Sequence, residues 1–329
     1  MRQGEDGPGE FLPAGATEDR QLPRGDEVFL DHVGFFVPDM DAAARTFERL
    51  GFAVQPQNTH FNAGPDGGLV PAGTANRLIT TRIGYLEILA ATLDTPLAAQ
   101  LRAGLARYTG LHLVALGHAD VPAQETRLRA AGMRTQPAVR LRRPLDALPD
   151  RPLAGFHVLR TEAGVMPEGR VQYCGHETPD RVWLPDWLDH ANGAEALTDF
   201  LIVAADPDEA AGRFALFAGR PANTEPGGLR AVRLDRGRLT LCGAQTAAGL
   251  LPGFRAPALP FEAGLALRVA DPAHTLAFLR GRGVAATEPA RGIVHVPPAE
   301  AMGAHMLFHA HRDAGSVWAA LAAAAGPAN

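Results

Sequence analysis

The chain repeats one pattern four times, and this repeat constrains its fold more than any other feature. In each copy an apolar, alternating strand ends at an aspartate, and an Ala-rich amphipathic helix follows and ends at a glycine. The aspartates and the glycines that answer them are Asp39 and Gly51, Asp120 and Gly132, Asp206 and Gly219, and Asp271 and Gly283. Aspartate caps the start of a helix, and glycine suits the left-handed backbone at a helix end. We therefore predict four units with one common plan.

Short strands follow each glycine and complete the unit as a βαβββ module. The four modules end in GYLEILAA, GRVQYCGH, GRLTLCGA and GAHMLFHA. A sheet with helices on one face still has another face to cover, so we expect modules to pair. We predict an α+β fold in which four βαβββ modules form two cup-shaped, curved mixed sheets with the helices outside. The helix residues predicted to face the sheets are Phe47, Leu50, Leu128, Phe214 and Phe278.

Length and composition agree with two globular domains. The chain has 329 residues, of which 46 % are hydrophobic and 20 % are charged. We predict a flexible N-terminal extension over residues 1–26 and a first domain, with two modules, over residues 27–184. A linker over residues 185–198, a second two-module domain over residues 199–310 and a C-terminal helix and tail over residues 311–329 complete the plan. The apolar stripe predicted for that helix is Val317, Trp318 and Leu321.

Charge and cysteine content exclude several classes of partner. The net charge is −5 with both signs interspersed, so we expect no nucleic-acid or membrane surface. Two cysteines, Cys174 and Cys242, cannot form a disulfide framework, which favours a reduced, cytoplasmic setting. No apolar run reaches the roughly 18 residues that a membrane span needs. We expect a small-molecule substrate as the partner, with the chain acting as a monomer or a homodimer.

Three segments carry a resemblance to a known family: LDHVGFFVPDMDAAARTFERLGF, GTANRLITTRIGYLEILA and VQYCGHETPDRVW. With the four modules, they resemble the vicinal oxygen chelate superfamily, and within it the glyoxalase-like branch. The resemblance implies the paired-module fold and a cup that binds one divalent metal, such as Zn, Mn, Fe or Ni, through residues of the first and last strands of its modules. No organic cofactor is expected. The substrate does not follow, because one fold hosts many reactions.

In this scheme the first strand of module one offers His32 as a metal ligand, and its last strand offers Glu87. On its own, His32 fits a core histidine. The other modules have different residue types at this position: Leu113, Asp199 and Gly264. A carboxylate that faces the cup is costly unless it is paired or metal-bound. His176, at the exit of the last strand of module two, is the predicted third ligand. The alternative, His112, requires a β-bulge, because a one-residue slip turns a side chain to the other face.

Further residues are predicted to contact the substrate. Gln172 holds in module two the position that Glu87 holds in module one. Asn76 is predicted to donate a hydrogen bond, and Arg77 to clamp a carboxylate or phosphate. His60, in a Gly/Pro-rich loop, is predicted as a proton shuttle or a further ligand, with a plain surface histidine as the alternative. The predicted catalytic residues are thus Glu87 and His60, and the substrate-binding residues are Asn76, Arg77 and Gln172.

The second cup is predicted to be vacant. Its residues at the positions of His32 and Glu87 are Asp199 and Thr240 in module three, and Gly264 and Leu307 in module four. A cluster of histidines near the C-terminus is predicted to lie on a solvated edge: His295, His305, His309 and His311. The second cup is accordingly read as structural or as a partner surface.

The predicted function is that of a metal-dependent enzyme. The metal acts as a Lewis acid on a small oxygen-chelating substrate, with lyase or isomerase chemistry and an enolate-like intermediate. The alternatives are an Fe(II)-dependent extradiol-type dioxygenase, a non-catalytic binding or resistance protein, and an interaction scaffold. The chain has 15 Phe, 3 Tyr and 3 Trp, which counts against the aromatic-lined cup of a drug-binding protein.

Overall fold

The computed structural model describes residues 17–63, 68–146, 148–311 and 316–325, and their strands follow the predicted modules. Module one comprises β1 (Phe29–Phe36), α1 (Met40–Arg49), β2 (Asn58–Ala63), β3 (Leu69–Thr80) and β4 (Tyr85–Ala91). Module two comprises β5 (Gly110–Gly117), α3 (Val121–Ala130), β6 (Val139–Pro144), β7 (Leu153–Arg160) and β8 (Arg170–His176). The helix α2 (Pro96–Leu105) connects them.

The second half of the chain repeats this order. Module three comprises β9 (Ala194–Val203), α4 (Pro207–Ala218), β10 (Ala222–Glu225), β11 (Leu229–Arg233) and β12 (Arg238–Cys242). Module four comprises β13 (Phe261–Val269), α6 (Pro272–Gly281), β14 (Thr287–Ala290), β15 (Ile293–Val296) and β16 (His305–His309). The helix α5 (Ala244–Leu250) connects them, and α7 (Val317–Ala325) follows. Four short 3₁₀ turns complete the structure: Thr17–Asp19, Pro179–Arg181, Pro185–Trp187 and Pro226–Gly228.

Strand pairing joins the modules in twos, as predicted. In the first pair the strand order is β2-β3-β4-β1-β5-β8-β7-β6, with β1 parallel to β4 and antiparallel to β5. In the second pair the order is β10-β11-β12-β9-β13-β16-β15-β14. The pairing of Glu262 in β13 with Leu111 in β5 links the two into a single mixed sheet, which has 16 strands in the described part of the chain. The predicted α+β class with paired modules is confirmed.

The predicted helix signals are present in every module. Asp39 accepts a hydrogen bond from the backbone N–H of Ala42 at 2.9 Å, and Asp120, Asp206 and Asp271 cap their helices in the same way. The four glycines that close the helices all have positive φ angles. Because these signals lie within a dozen residues of one another, they do not depend on how the modules pack. The aspartates and glycines of the repeat therefore mark where the helix of each module begins and ends.

The apolar faces of these helices cover the outer face of the sheet. Phe47, Leu50, Leu128 and Phe214 are fully buried in one large core that draws on all four modules. In α6, the predicted Phe278 packs against this core and is partly buried, and its neighbour Leu279 is fully buried in it.

A β-bulge precedes the position of His32. Leu30 pairs with Leu116 and His32 pairs with Ala115, so Asp31 is an extra residue in β1. A bulge bends the strand and redirects its side chains, and here it brings Asp31 and His32, which are consecutive, into direct contact. The second half has the same irregularity, with Thr198 as the extra residue in β9. Both halves therefore prepare the backbone at this position in the same way.

The ends of the predicted domains are packed against the fold. Arg20 and Gln21 are buried, and the backbone N–H of Gly84 donates to Gln21 Oε1 at 3.1 Å. The prediction of a loose extension was thus wrong for residues 17–26, while residues 1–16 lie outside the described residues. The predicted linker contains the start of β9, which begins at Ala194. None of the described helices is both long enough and apolar enough to cross a membrane.

Candidate functional site

The cup of modules one and two contains a cavity of about 840 Å³, including its open mouth. Residues at alternate positions of its strands point into it, because successive side chains of a strand face opposite sides of the sheet. Four of the predicted site residues line the cavity: His32, His60, Glu87 and Gln172. The structure therefore brings these residues into one cup.

His32 is oriented from both sides of its ring. Its Nδ1 lies 2.6 Å from Asp31 Oδ2, and its Nε2 lies 3.9 Å from Glu87 Oε2 and 3.5 Å from Gln172 Nε2. The ring stacks on Tyr85 with centroids 4.3 Å apart. Because Nδ1 is directed at Asp31, Nε2 is the ring nitrogen that faces Glu87 and the cavity. This carboxylate–histidine arrangement is the one that typically supports a metal-bound histidine.

Asp31 lies between two imidazoles. His176 Nε2 is 3.0 Å from both carboxylate oxygens of Asp31, on the side away from Glu87. Burial alone would raise the pKa of Asp31, but His176 and His32 together hold that pKa well below its usual value. Asp31 is therefore ionised and accepts hydrogen bonds from both rings.

The predicted placement of His176 beside Glu87 is corrected by this geometry. Four residues of strand, about 13 Å at 3.3 Å per residue, separate His176 from Gln172. Gln172, Ala115 and His32 stand in register on neighbouring strands, so Gln172 reaches the Nε2 side of His32, whereas His176 lies beside Asp31. His176 instead lines a separate cavity that adjoins the cup.

Glu87 is held in place by a buried amide. Asn76, which is fully buried, donates to Glu87 Oε1 at 2.5 Å. Burial raises the pKa of Glu87, but His32, His60 and Asn76 outweigh burial and lower it. The carboxylate is therefore ionised. Asn76, predicted to contact the substrate, positions Glu87 here.

His60 belongs to strand β2, whereas the sequence predicted a loop. Its Nδ1 lies 2.9 Å from Thr74 Oγ1, and its ring lines the cavity. Burial lowers the pKa of His60 to about 4, although Glu87 opposes the shift. His60 is consequently neutral near pH 7 and has the capacity to accept a proton.

Arg77 does not reach the cup. It follows Asn76 on β3, so the alternation of the strand turns its side chain to the opposite face. There Arg77 Nη2 donates to Asp41 Oδ1 of α1 at 2.7 Å. Its predicted role as a clamp for the substrate is therefore corrected.

His112 also lies outside the cup. The sheet does have an irregularity at His112, since Gly34 pairs with Leu113 and Phe35 with Leu111. Even so, Leu113 lines the cavity, while the ring of His112 stacks on Tyr108 and its Nε2 lies 2.8 Å from the Tyr108 carbonyl oxygen. The bulge that His112 required is present, yet it does not turn this histidine inward.

Sequence reasoning missed four arginines that line the cup: Arg142 and Arg143 on β6, Arg160 on β7 and Arg170 on β8. Burial lowers the pKa of Arg143 and Arg160, and it lowers that of Arg170 to about 10. Strand alternation could have found two of them, Arg160 and Arg170. In LAGFHVLR and RVQYCGH, each arginine is in phase with residues that face the cup, among them Val158 and Gln172.

A second set of metal-binding residue types lies behind His32. Within the described part of the chain, Asp31, Cys174 and His176 form a group whose donor atoms lie within 4.8 Å of one another. Burial raises the pKa of the Cys174 thiol well above its usual value, with Asp31 and Glu87 acting in the same direction. A thiol is a poor ligand until it loses its proton, so this set is less suited to a metal than the Nε2 side of His32.

The second cup is filled with side chains. Trp318 of α7 is fully buried in a cluster with Leu201, Leu229 and Leu307, beside Gly264. The apolar stripe predicted for this helix therefore faces a sheet. The prediction of a solvated histidine edge was wrong for three of its members, which are buried: His295, His305 and His309. His305 Nδ1 lies 2.9 Å from His295 Nε2.

Comparison with known proteins agrees with this architecture. The glyoxalase-like domain family profile matches residues 30–217. No curated protein matches the chain by sequence. Among solved structures, a hypothetical protein from Staphylococcus aureus is similar, with a TM-score of 0.62, 10% identity, and coverage of 86% of this chain and 100% of the other.

Two similar solved structures have described activities. One is a mutant of 4-hydroxymandelate synthase from Streptomyces coelicolor, with a TM-score of 0.54, 16% identity, and coverage of 91% of this chain and 98% of the other. The second is the Mn(II)-bound glyoxalase from Novosphingobium aromaticivorans, with a TM-score of 0.51, 14% identity, and coverage of 89% and 84%. At these identities the likeness concerns the fold. Since the family profile spans more than half of the chain, the protein belongs to the glyoxalase-like domain family of the vicinal oxygen chelate superfamily.

Proposed function

We propose that the first cup is the active site of a divalent-metal-dependent enzyme of the lyase or isomerase type, which acts on a small oxygen-chelating substrate. The observation that carries this proposal is the placement of His32 between Asp31 and Glu87. A buried histidine that served only the core would not need an ionised carboxylate on each side. The description of one structural neighbour as a Mn(II)-bound glyoxalase supports the same chemistry.

The residues present fit a metal. Two donor atoms that are each about 2.0–2.2 Å from an ion lie at most about 4 Å apart. His32 Nε2 lies 3.9 Å from Glu87 Oε2 and 3.5 Å from the amide of Gln172, and Gln172 Oε1 is buried without a hydrogen-bond partner. Nitrogen and oxygen donors of this kind suit Mn, Fe or Zn. His32, Glu87 and Gln172 would hold the ion and leave further positions for the substrate.

When bound, the metal would supply Lewis acidity toward a substrate oxygen. The chain provides the remaining functions. His60 is neutral and lines the cavity, so it serves as the proton acceptor. Asn76 fixes the Glu87 carboxylate, and the apolar side chains of Leu89 and Phe156 exclude water from the walls. The arrangement favours proton transfer next to a substrate oxygen.

Metal titration tests this proposal. The purified chain is stripped with a chelator and reconstituted with Mn(II), Fe(II), Zn(II) or Ni(II), and its metal content and affinity are measured. We expect one ion per chain in the wild type. His32→Ala or Glu87→Gln removes a ligand and should weaken metal affinity by about 100-fold. Removal of a group that only supports a ligand already weakens metal affinity by about 10- to 100-fold. The matched control is Glu48→Gln, which removes one exposed carboxylate from α1 and should leave affinity unchanged.

A further variant separates the two metal-binding groups. If the ion is held by Asp31, Cys174 and His176, then Cys174→Ser weakens metal binding and Glu87→Gln does not. That result would place the metal at this second group of residues and not at His32 and Glu87. Failure to bind any of the four metals after reconstitution would contradict the proposal. So would oxygen consumption by the Fe(II)-loaded protein with a catechol, since that activity is dioxygenase chemistry.

A further inference from the structure

Three arginines give one wall of the first cup a strong positive charge. Arg143, Arg160 and Arg170 line it from three neighbouring strands, and Glu87 is the only carboxylate among the lining residues that the structure describes. In the described part of the chain, none of these three arginines forms an ion pair with an acidic side chain within 4.0 Å. The chain as a whole has a net charge of −5, so this local excess of positive charge runs against its general composition.

The hydrogen-bond donors of these arginines are largely unused. Nε and Nη2 of Arg143 and Nε of Arg160 are buried without a partner, and Arg170 has only a long contact of 3.4 Å to Gln100 Oε1. Buried donors in folded proteins nearly always have an acceptor. Another arginine of this chain follows the rule, since Arg213 makes two hydrogen bonds to the Glu168 carboxylate. What sets the cup arginines apart is that the described residues offer them no acidic partner within 4.0 Å, so an acidic group from outside the chain suits them.

The positions of the three groups suit one shared ligand. Arg160 pairs in register with Gln172, and Arg170 lies two residues before Gln172 on the same face of β8. The guanidinium of Arg143 lies over the ring of Phe156 at 5.3 Å, and that of Arg170 over the ring of Phe36 at 5.4 Å. These ring contacts fix the planes of the two guanidinium groups. Gln172 therefore connects the arginines to the Nε2 side of His32.

The three arginines are more than Glu87 needs to balance its negative charge. One carboxylate balances one guanidinium, and Asn76 and His32 already contact Glu87. Burial is the main cause that lowers the pKa of Arg170, and repulsion from Arg160 adds to it. An anion placed between these two groups would relieve this repulsion.

We infer that Arg143, Arg160 and Arg170 form an anion subsite that holds a carboxylate or phosphate group of the substrate. Guanidinium groups bind both groups with two parallel hydrogen bonds. The substrate class is accordingly a small organic acid or phosphate ester, with a second oxygen directed toward His32 and Glu87. The position of that second oxygen rests on the proposed function, whereas the subsite itself does not.

Anion binding to the metal-free protein tests the subsite. The probes are inorganic phosphate and malonate, titrated calorimetrically into the chelator-treated chain at low ionic strength. We expect binding of at least one probe, and the preferred probe distinguishes a phosphate from a carboxylate ligand. Affinity should fall about tenfold or more in Arg160→Gln and Arg143→Gln. The control is Arg45→Gln, which removes one exposed positive charge from α1 and should change affinity less than twofold.

A conservative variant keeps the result interpretable if Arg143→Gln does not fold. Arg143→Lys retains the charge and loses the paired donors, so its affinity should lie between those of the wild type and Arg160→Gln. Absence of binding of either probe to the folded wild type would overturn the inference, as would an equal loss in Arg45→Gln. Metal content separates the two proposals: if the chain binds phosphate and no metal, the proposed function fails and the subsite stands. If the chain binds metal and neither anion, the subsite fails and the proposed function stands.

Discussion

The two cups of this protein share a backbone plan and differ in how their charged groups are satisfied. In the first cup, His32 and Tyr85 are register partners, and His32 faces Glu87 across a cavity. In the second cup the corresponding partners are Asp199 and Arg238, which pair with each other at 3.4 Å. These two groups of the second cup thus pair with each other, whereas Arg143, Arg160 and Arg170 of the first cup have no acidic partner within 4.0 Å among the described residues.

The two cups differ in whether side chains fill the space between the strands. The second cup is filled by Trp318, and Gly264 replaces the leucine that lines the first cup. Side chains that fill a space stabilise a fold through burial, whereas polar groups left unpaired in a cavity lower stability and are retained where they bind something. The open cavity and the charged side chains that line it therefore distinguish the first half as the candidate functional half, even though both halves have the same strands.

The strongest way to break this comparison is to empty the second cup. Trp318→Ala removes the largest fully buried side chain and should lower the free energy of unfolding by about 3–5 kcal/mol. Urea denaturation measures the loss, and metal affinity of the variant should stay within twofold of the wild type. Leu216→Ala, which truncates an exposed leucine, is the control and should cost far less. A loss no larger than that of the control would mean that α7 does not fill the cup.

A smaller effect concerns the neutral histidines of the second half. Burial, reinforced by His295, lowers the pKa of His305 to about 3, compared with about 6.5 in an unfolded chain. Between these values the unfolded chain binds more protons, so stability is full above pH 6.5 and falls as the pH falls below it. From pH 7 to pH 5 this histidine should account for about 2 kcal/mol of lost stability.

Unfolding of the wild type and of His305→Gln at both pH values checks this expectation. The variant lacks the titrating group, so its unfolding free energy should depend less steeply on pH. Parallel pH profiles would contradict the assignment of His305 as a buried, neutral histidine.

The smallest expected effect concerns Arg77, which the sequence placed in the first cup and the structure places outside it. Its partner Asp41 is largely exposed, and such an ion pair contributes about 0–1 kcal/mol. Arg77→Ala should therefore leave phosphate affinity within twofold of the wild type and change stability by less than about 1 kcal/mol. A loss of phosphate affinity as large as that in Arg160→Gln would restore Arg77 to the site.

The sequence predicted the parts of this fold that depend on neighbouring residues. Each aspartate cap and each terminal glycine acts within its own helix, so four copies could be read directly. The pairing of His32 with Glu87 followed from the ends of one module. The error at His176 arose because its reach depends on the register of β8 against β5, which no local pattern encodes. Asp31 escaped notice because its contact with His32 depends on a bulge.

That bulge has a consequence for the history and the engineering of such proteins. Thr198 in β9 repeats the extra residue that Asp31 provides in β1, so the half whose cup is filled by Trp318 has the same backbone bend that brings Asp31 and His32 together. Gaining or losing a catalytic centre in a duplicated chain of this kind requires exchange of side chains and clearance of volume, with no change of main-chain path. One main-chain path thus serves both a cup with an open cavity and a cup filled with side chains.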